Sequence, residues 1–300
     1  MSYQLRGILA LLVVTLVWGT TFPAMKALTA SLSPAWIVFT RFALAALLLS
    51  PFLVRGARGD LRSGVLLGLL LFFCYVFQVE GLALTSSNRN AFICGLNVLI
   101  VPLLGILAGR APERRIALAL VLAMSGLAAL CWDGGAWSFG DSLALGAAVC
   151  FGLYIKMMEV HTRGAVRLMT ITATQISTVA VCAAAWLLLT EVPLDGGARA
   201  AAYWERIVPA LDGGLWPIAY LGVICTAAII SLQTWGQSHS SAHEAAVMYA
   251  FEPAAAAVFG FFWLGEVMTG RGWIGAALLI SGMIVSQWNA ERPAGALVPE

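Results

Sequence analysis

A few charged side chains lie inside the long apolar stretches of this sequence, and they are the residues best suited to do chemistry. Arg41, Glu80 and Glu252 are three of them. An ionisable side chain inside a membrane costs about 2.5 kcal/mol or more, so each one calls for a partner or a function. Arg41 could pair with Glu80, or it could bind a carboxylate group directly. Glu252 precedes the helix-breaking Pro253, and it could bind an ammonium group or a proton, or act as a hydrogen-bonded structural carboxylate.

Aromatic and amide side chains outline a predicted binding cavity. Polar amides in membrane helices usually face protein or water, and at helical spacing Trp18 and Phe22 share one stripe. For any single aromatic residue, packing against lipid is the alternative. The predicted substrate-binding residues are Trp18, Phe22, Arg41, Tyr75, Gln78, Asn97, Tyr154, Gln175, Trp235, Tyr249 and Glu252. Beside them, the predicted cavity outline includes Thr15, Gly19, Phe151, Ile155, Met158, Gln233 and Met248.

Composition places the chain in a membrane. Of its 300 residues, 61% are hydrophobic and 11% are charged, whereas a soluble domain has about 25% charged residues. A bilayer core about 30 Å thick takes about 20 apolar residues per helix. The sequence therefore predicts an all-α integral membrane protein with ten transmembrane helices, near residues 7–27, 34–54, 64–84, 91–109, 115–132, 140–158, 168–190, 215–235, 244–264 and 272–288.

The ten predicted spans fall into two sets of five with matching residues. The matches are Gly7, Leu12 and Gly19 with Gly140, Leu145 and Gly152, 133 residues on, and Gly109, Arg115, Leu122, Ser125 and Gly126 with Gly265, Arg271, Leu278, Ser281 and Gly282, 156 residues on. Five is odd, so the second set starts from the opposite membrane face. This predicts two inverted five-helix repeats around a central cavity, residues 1–135 and 136–290, followed by a cytoplasmic tail, residues 291–300. Secondary transporters favour this architecture, because rocking of the two halves alternates access to a midplane site.

The two repeat distances differ by 23 residues, and the segment 191–214 accounts for the difference. This segment is rich in glycine, proline and aspartate, which favour loops. Its Tyr203 and Trp204 suit a membrane interface. We therefore predict a short amphipathic element on the outer face of the membrane.

The positions of the basic residues predict the orientation, because cytoplasmic loops carry an excess of Lys and Arg. With both termini cytoplasmic, the inner side carries eleven of them: Arg6, Arg55, Arg58, Arg62, Arg110, Arg114, Arg115, Lys156, Arg163, Arg167 and Arg292. The outer side carries five: Lys26, Arg89, Arg199, Arg206 and Arg271. The net charge of +2 is therefore a topology signal rather than a footprint for nucleic acid.

Four short motifs are distributed over the two predicted halves. They are Trp18-Gly19-Thr20-Thr21-Phe22, Arg41-Phe42, Glu252-Pro253, and Gly265-Glu266 before Gly275 and Gly282. In this order they resemble the drug/metabolite transporter superfamily of EamA type, and among its branches the bacterial exporters of aromatic and hydrophobic amino acids. The resemblance covers residues 7–288 and implies ten helices, a central cavity and an inner-membrane location. As a departure, Asn97 and Arg110 stand where the repeat places Pro253 and Glu266.

The function that the resemblance implies is export of hydrophobic or aromatic amino acids and related metabolites by alternating access. A sugar-phosphate carrier, the main rival, needs several cations inside the membrane, and only Arg41 qualifies. A small multidrug pump would carry a carboxylate in its first helix, and residues 7–27 contain none. A lipid-modifying membrane enzyme needs a nucleophile beside a base, and none of the three histidines at 161, 239 and 243 lies beside a nucleophile motif.

Other partners are predicted from what the sequence lacks. The six cysteines have no paired spacing, so neither a disulfide frame nor a zinc site is expected. No nucleotide-binding motif is present, so ATP is not the energy source of this chain. We expect a small-molecule substrate and the lipid bilayer as partners, no cofactor and no nucleic acid, and a monomer or weak dimer.

Overall fold

The computed structural model describes residues 3–54, 56–107, 109, 113–131, 136–164, 166–193, 197–264 and 270–287, and within them all regular structure is helical. The helices of the first half are α1 (Tyr3–Gly19), α2 (Thr21–Leu28), α3 (Pro34–Leu49) with a 3-10 turn (Ser50–Phe52), α4 (Arg58–Leu84), α5 (Ser87–Gly95), α6 (Asn97–Leu107) and α7 (Arg114–Cys131). Those of the second half are α8 (Phe139–Thr162), α9 (Leu168–Thr190), α10 (Ala198–Gly213), α11 (Leu215–Ala219), a π-helix (Tyr220–Ala228), α12 (Ile229–Ser238), α13 (Ala242–Tyr249), α14 (Glu252–Leu264) and α15 (Gly270–Gln287). Arg110, Gly265, Glu266 and the predicted tail lie outside the described residues.

Seven helical segments of the described chain are long and apolar enough to cross a membrane. They are Tyr3–Leu28, Pro34–Phe52, Arg58–Leu84, Arg89–Leu107, Phe139–Thr162, Leu168–Thr190 and Leu215–Ser238. The remaining predicted spans near 115–132, 244–264 and 272–288 coincide with α7, the α13 and α14 pair, and α15. Large apolar side chains point outward along these helices, among them Leu69 on α4 and Val181 on α9. Lipid, rather than water, is the solvent that suits such a surface.

Three helices of this bundle are interrupted near their middle. A single residue separates α1 from α2, a single residue separates α5 from α6, and two residues separate α13 from α14. Pro23 and Pro253 follow two of the interruptions; neither can donate a backbone hydrogen bond, which leaves a carbonyl one turn earlier without its helical partner. Such breaks are tolerated at membrane depth only where protein or a cavity satisfies the backbone.

Glycines let the helices approach closely at the centre of the bundle. A Cβ atom added at Gly19 of α1 would lie 2.8 Å from the backbone nitrogen of Ala256 on α14. A Cβ atom added at Gly152 of α8 would lie 2.5 Å from the Cβ of Ile100 on α6. These two contacts bring α1 and α8 directly against the interrupted helices, as small residues do in membrane bundles.

Within the segment 191–214, residues Ala198–Gly213 form the helix α10, where the sequence favoured loops and a short amphipathic element. Its Tyr203 hydroxyl accepts a hydrogen bond of 2.7 Å from the Trp36 indole on α3. Trp204 stacks edge-on against the same indole, with ring centroids 6.2 Å apart. α10 is therefore tied to the first turn of α3, and its position on the outer membrane face stays a prediction.

Candidate functional site

All three helix interruptions open onto one cavity. Two of its lining residues flank each interruption, three positions apart: Trp18 and Thr21, Cys94 and Asn97, and Tyr249 and Glu252. The wall is completed by Tyr75 and Gln78 of α4, Phe151 and Ile155 of α8, and Gln233 of α12. The cavity volume is about 30 Å³, which is room for about two water molecules. A larger molecule therefore requires the helices or side chains around the breaks to move.

Trp18 joins the first interruption to the second half of the chain. Its indole nitrogen donates a hydrogen bond of 3.3 Å to the carbonyl of Cys225 in the π-helix. Its ring lies 5.6 Å from that of Tyr249 at a tilt of 44°. The Thr21 hydroxyl donates to the carbonyl of Trp18 over 2.8 Å and so satisfies a backbone group at the break. Trp18 thus presents an apolar ring to the cavity while its polar edge is satisfied elsewhere.

Glu252 is the first residue of α14 and lies at the edge of the third interruption. The Thr15 hydroxyl of α1 donates to the carbonyl of Met248 over 3.3 Å, and this stabilises the end of α13. Glu252 itself is partly exposed to the cavity. A helix N-terminus favours a carboxylate, so Glu252 is placed to bind a cation or a proton at this break.

Three buried polar atoms of the cavity wall have no hydrogen-bond partner within the described part of the chain. They are Asn97 Oδ1, Gln233 Oε1 and the Tyr249 hydroxyl. Their residues are at most 7% exposed. An unpaired buried polar atom costs about 1–3 kcal/mol, so these atoms await a water molecule or a ligand.

Arg41 lies outside this wall, and of its two possible partners Glu80 is not the one it contacts; it contacts Thr226 instead. The Arg41 residue is 1% exposed. Its Nε donates to the Thr226 hydroxyl over 2.9 Å, and its guanidinium carbon, Cζ, lies 4.8 Å from the Tyr75 ring centroid. Depth along a helix does not tell which way a side chain faces, and Arg41 faces the π-helix. One nitrogen, Nη2, remains without a partner. Arg41 reaches the cavity only through the ring of Tyr75.

The structure brings together six of the predicted binding residues and leaves five aside. Those in the wall are Trp18, Tyr75, Gln78, Asn97, Tyr249 and Glu252. Besides Arg41, Phe22 is packed in the core at 1% exposure, and Tyr154 donates to Gln175 over 2.9 Å. Gln175 in turn donates to Thr234 over 3.2 Å. Trp235 packs on His239, with ring centroids 4.7 Å apart.

Two residues of the wall, Thr21 and Cys94, were absent from the predicted outline. Thr21 lies inside the Trp18 to Phe22 motif and three residues after Trp18, so helical spacing could have identified it. Cys94 gave no such signal, because a buried free cysteine is usually a small packing residue. Phe151, Ile155 and Gln233, which the sequence places in the cavity outline, do line the cavity.

Known proteins similar to this chain agree with a membrane transport fold. A curated relative from Archaeoglobus fulgidus, described as an uncharacterized transporter, is 27% identical over 94% of this chain and 86% of its own length. A second uncharacterized transporter from the same organism is 22% identical over 83% of this chain and 85% of its own length. A solved crystal structure superposes with a TM-score of 0.75 at 17% identity, covering 95% of this chain and 98% of the other, and this likeness shows the fold alone. The model of the EamA-like transporter family matches twice, at residues 5–132 and 138–287, and the chain therefore belongs to the EamA-like transporter family.

Proposed function

We propose that this protein is a secondary transporter that exports hydrophobic and aromatic amino acids and related small metabolites by alternating access. The observation that carries the proposal is the cavity at the three helix breaks, where Glu252 and buried amides face aromatic rings. A zwitterion with an apolar side chain matches such a wall. Its ammonium group would pair with the carboxylate, and its side chain would lie against the rings of Trp18, Tyr75, Phe151 and Tyr249.

We propose ten transmembrane helices in two inverted repeats, residues 1–135 and 136–290, as the frame for this transport. Two separate matches to the family model support the division. The close contacts support it too, because α1 packs on α14 through Gly19 as α8 packs on α6 through Gly152. Ile100 and Ala256, the residues that these glycines meet, are 156 positions apart, which is the distance of the sequence repeat.

The proposed location is the bacterial inner membrane, with both termini cytoplasmic. The excess of Lys and Arg on one set of loops supports this orientation. The transport cycle then exchanges access to the cavity between the two faces, with a small-molecule substrate and the bilayer as partners. A monomer or weak dimer is the oligomeric state that we propose.

The charges around the cavity favour an amino acid over a sugar phosphate. Phosphate recognition uses Arg or Lys side chains that reach the ligand, and the described wall contains neither. Lys26, the cation on α2, donates to the carbonyls of Leu82 and Thr85 over 2.7 and 2.9 Å. Arg41 is buried behind Tyr75.

Counterflow in proteoliposomes tests the proposal directly. Purified protein is reconstituted with an internal pool of one compound, and uptake of labelled tryptophan, phenylalanine, leucine, glucose 6-phosphate or a cationic drug is measured. We expect exchange of the aromatic and aliphatic amino acids. Exchange of sugar phosphate or drug without exchange of amino acids would refute the proposal.

A further inference from the structure

A relay of amide groups connects the cavity to the backbone of α8. Gln237 donates from Nε2 to the carbonyl of Ile155 over 3.4 Å. Gln233, one turn earlier on α12, donates from Nε2 to Gln237 Oε1 over 3.3 Å. Both glutamines are 1% exposed. Gln233 belongs to the cavity wall and Gln237 does not.

The relay fixes the orientation of both amides. A backbone carbonyl can only accept a hydrogen bond, so Gln237 must turn its NH₂ group toward Ile155. Its oxygen is then left to accept from Gln233, and Gln233 must turn its own NH₂ group toward Gln237. The remaining atom of Gln233, Oε1, is the one that has no partner. The relay therefore leaves Gln233, a residue of the cavity wall, with an acceptor that is free to bind a donor group.

Other oxygen atoms of the wall add to this acceptor. Asn97 Oδ1 is also buried without a partner, and Glu252 contributes its carboxylate. The Tyr249 hydroxyl, likewise unpartnered, can donate or accept. A ligand group that donates several hydrogen bonds and carries a positive charge would satisfy these atoms together, and a primary ammonium group, with three donors, meets that description.

We infer that this cavity selects a primary ammonium group, and that Gln237 acts as a positioning residue that sets this selectivity by holding Gln233 as an acceptor. The inference rests on the proposed function in that it places the ammonium group of the substrate in the same cavity. The inference is narrower than the proposed function, since it concerns only the ammonium group and not the rest of the ligand.

Binding of three compounds that differ in one group tests the inference on the purified full-length protein. They are phenethylamine, 2-phenylethanol and 3-phenylpropionate, which share a phenyl ring and carry an ammonium, a hydroxyl and a carboxylate group. Titration calorimetry gives the dissociation constants. Since a hydrogen bond to a charged group is stronger than one to a neutral group, we expect phenethylamine to bind about tenfold tighter than 2-phenylethanol or more.

Two substitutions at one position separate orientation from general structure. Gln237→Leu frees the Gln233 amide to rotate and should remove most of the preference for the amine. Gln237→Glu, as the buried neutral acid, can donate to the Ile155 carbonyl and accept from Gln233, and should retain the preference. A purely structural role would make both variants lose the preference in proportion to their loss of stability. Gln4→Leu is the matched control. Gln4 donates a hydrogen bond of 3.0 Å to Glu244, and neither residue belongs to the cavity wall.

The inference is overturned if the wild-type protein binds the amine no better than the alcohol, or binds none of the three compounds. It is also overturned if Gln237→Leu keeps the wild-type ratio of the dissociation constants for alcohol and amine. The same holds if this ratio falls as far in Gln237→Glu as in Gln237→Leu. A different result would show that the proposed function is wrong. Selective amine binding by a protein that exchanges no amino acid would refute amino-acid export and leave the ammonium site standing.

Discussion

Glu252 brings a carboxyl group to the cavity wall at the start of α14, beside buried amide oxygens that also accept hydrogen bonds. Replacing it by Gln preserves the shape of the side chain and removes the charge. We expect Glu252→Gln to lower amino-acid counterflow about tenfold or more, because the ammonium group loses a charged partner. The control is Glu80→Gln on α4, since Glu80 is half-buried outside the wall. A stable Glu252→Gln protein with the wild-type rate would contradict the assigned role.

Trp18 shapes the apolar side of the same cavity. Trp18→Ala removes a ring that packs on Tyr249, and such aromatic pairs contribute about 0.5–1.5 kcal/mol beyond their buried area. We expect counterflow of tryptophan and phenylalanine to fall about threefold to tenfold, with a smaller loss for alanine. Trp216→Ala is the matched control, because Trp216 on α11 is 83% exposed. Equal losses for large and small amino acids would refute the specificity role.

Residue types and helical spacing in the predicted spans indicated all of this wall except Thr21 and Cys94, and the geometry showed which predicted residues lie elsewhere. Asn97 and Glu252 stood out because polar groups are costly at that depth. Arg41 stood out for the same reason, yet its partner Thr226 lies on a π-helix that no sequence pattern indicated. The interruption at Leu96 was also hidden, since Pro102, the nearest proline, lies inside α6.

At the scale of helices, the site depends on how closely α8 approaches α6. An Ala side chain at position 152 would place its Cβ atom 2.5 Å from that of Ile100, so one helix must shift. Such overpacking costs about 1–3 kcal/mol, while Ala is favoured over Gly in a helix by about 1 kcal/mol. We expect Gly152→Ala to lower the unfolding temperature in detergent.

The control variant for this helix contact is expected to have the opposite effect on the unfolding temperature. Gly59 lies in the first turn of α4, and an added Cβ atom would meet nothing within 4 Å. Gly59→Ala should therefore leave the unfolding temperature unchanged or raise it. If both variants unfold at the same temperature, the close approach of α8 and α6 does not limit stability.

At the scale of the whole molecule, an exchange of contacts relates the two halves. Gly7 of α1 lies against Gly236 at the end of α12, and Gly140 of α8 lies against Gly81 near the end of α4. The pairs Gly7 and Gly140, and Gly81 and Gly236, are separated by 133 and 155 residues. The sequence repeat matched Gly7 with Gly140, but it indicated neither Gly81 and Gly236 nor the fact that helices from opposite halves touch. Crossed contacts of this kind place the cavity between the halves, where rocking would alternate its access.

The proposed inverted repeat makes a testable prediction about which membrane face each loop lies on. An odd number of spans per half requires the loop before α10 to lie on the opposite face from both termini. Single cysteines are introduced at Ser2, Gly197 and Pro299 in a chain lacking its six native cysteines, and whole cells are treated with a thiol reagent that does not cross the membrane. We expect labelling at Gly197, which lies in an exposed turn, and protection at the other two positions until the cells are opened. Because the excess of Lys and Arg favours cytoplasmic termini, labelling at all three positions, or protection at Gly197 alone, would rule out two five-helix halves of opposite orientation and with them the alternating-access argument.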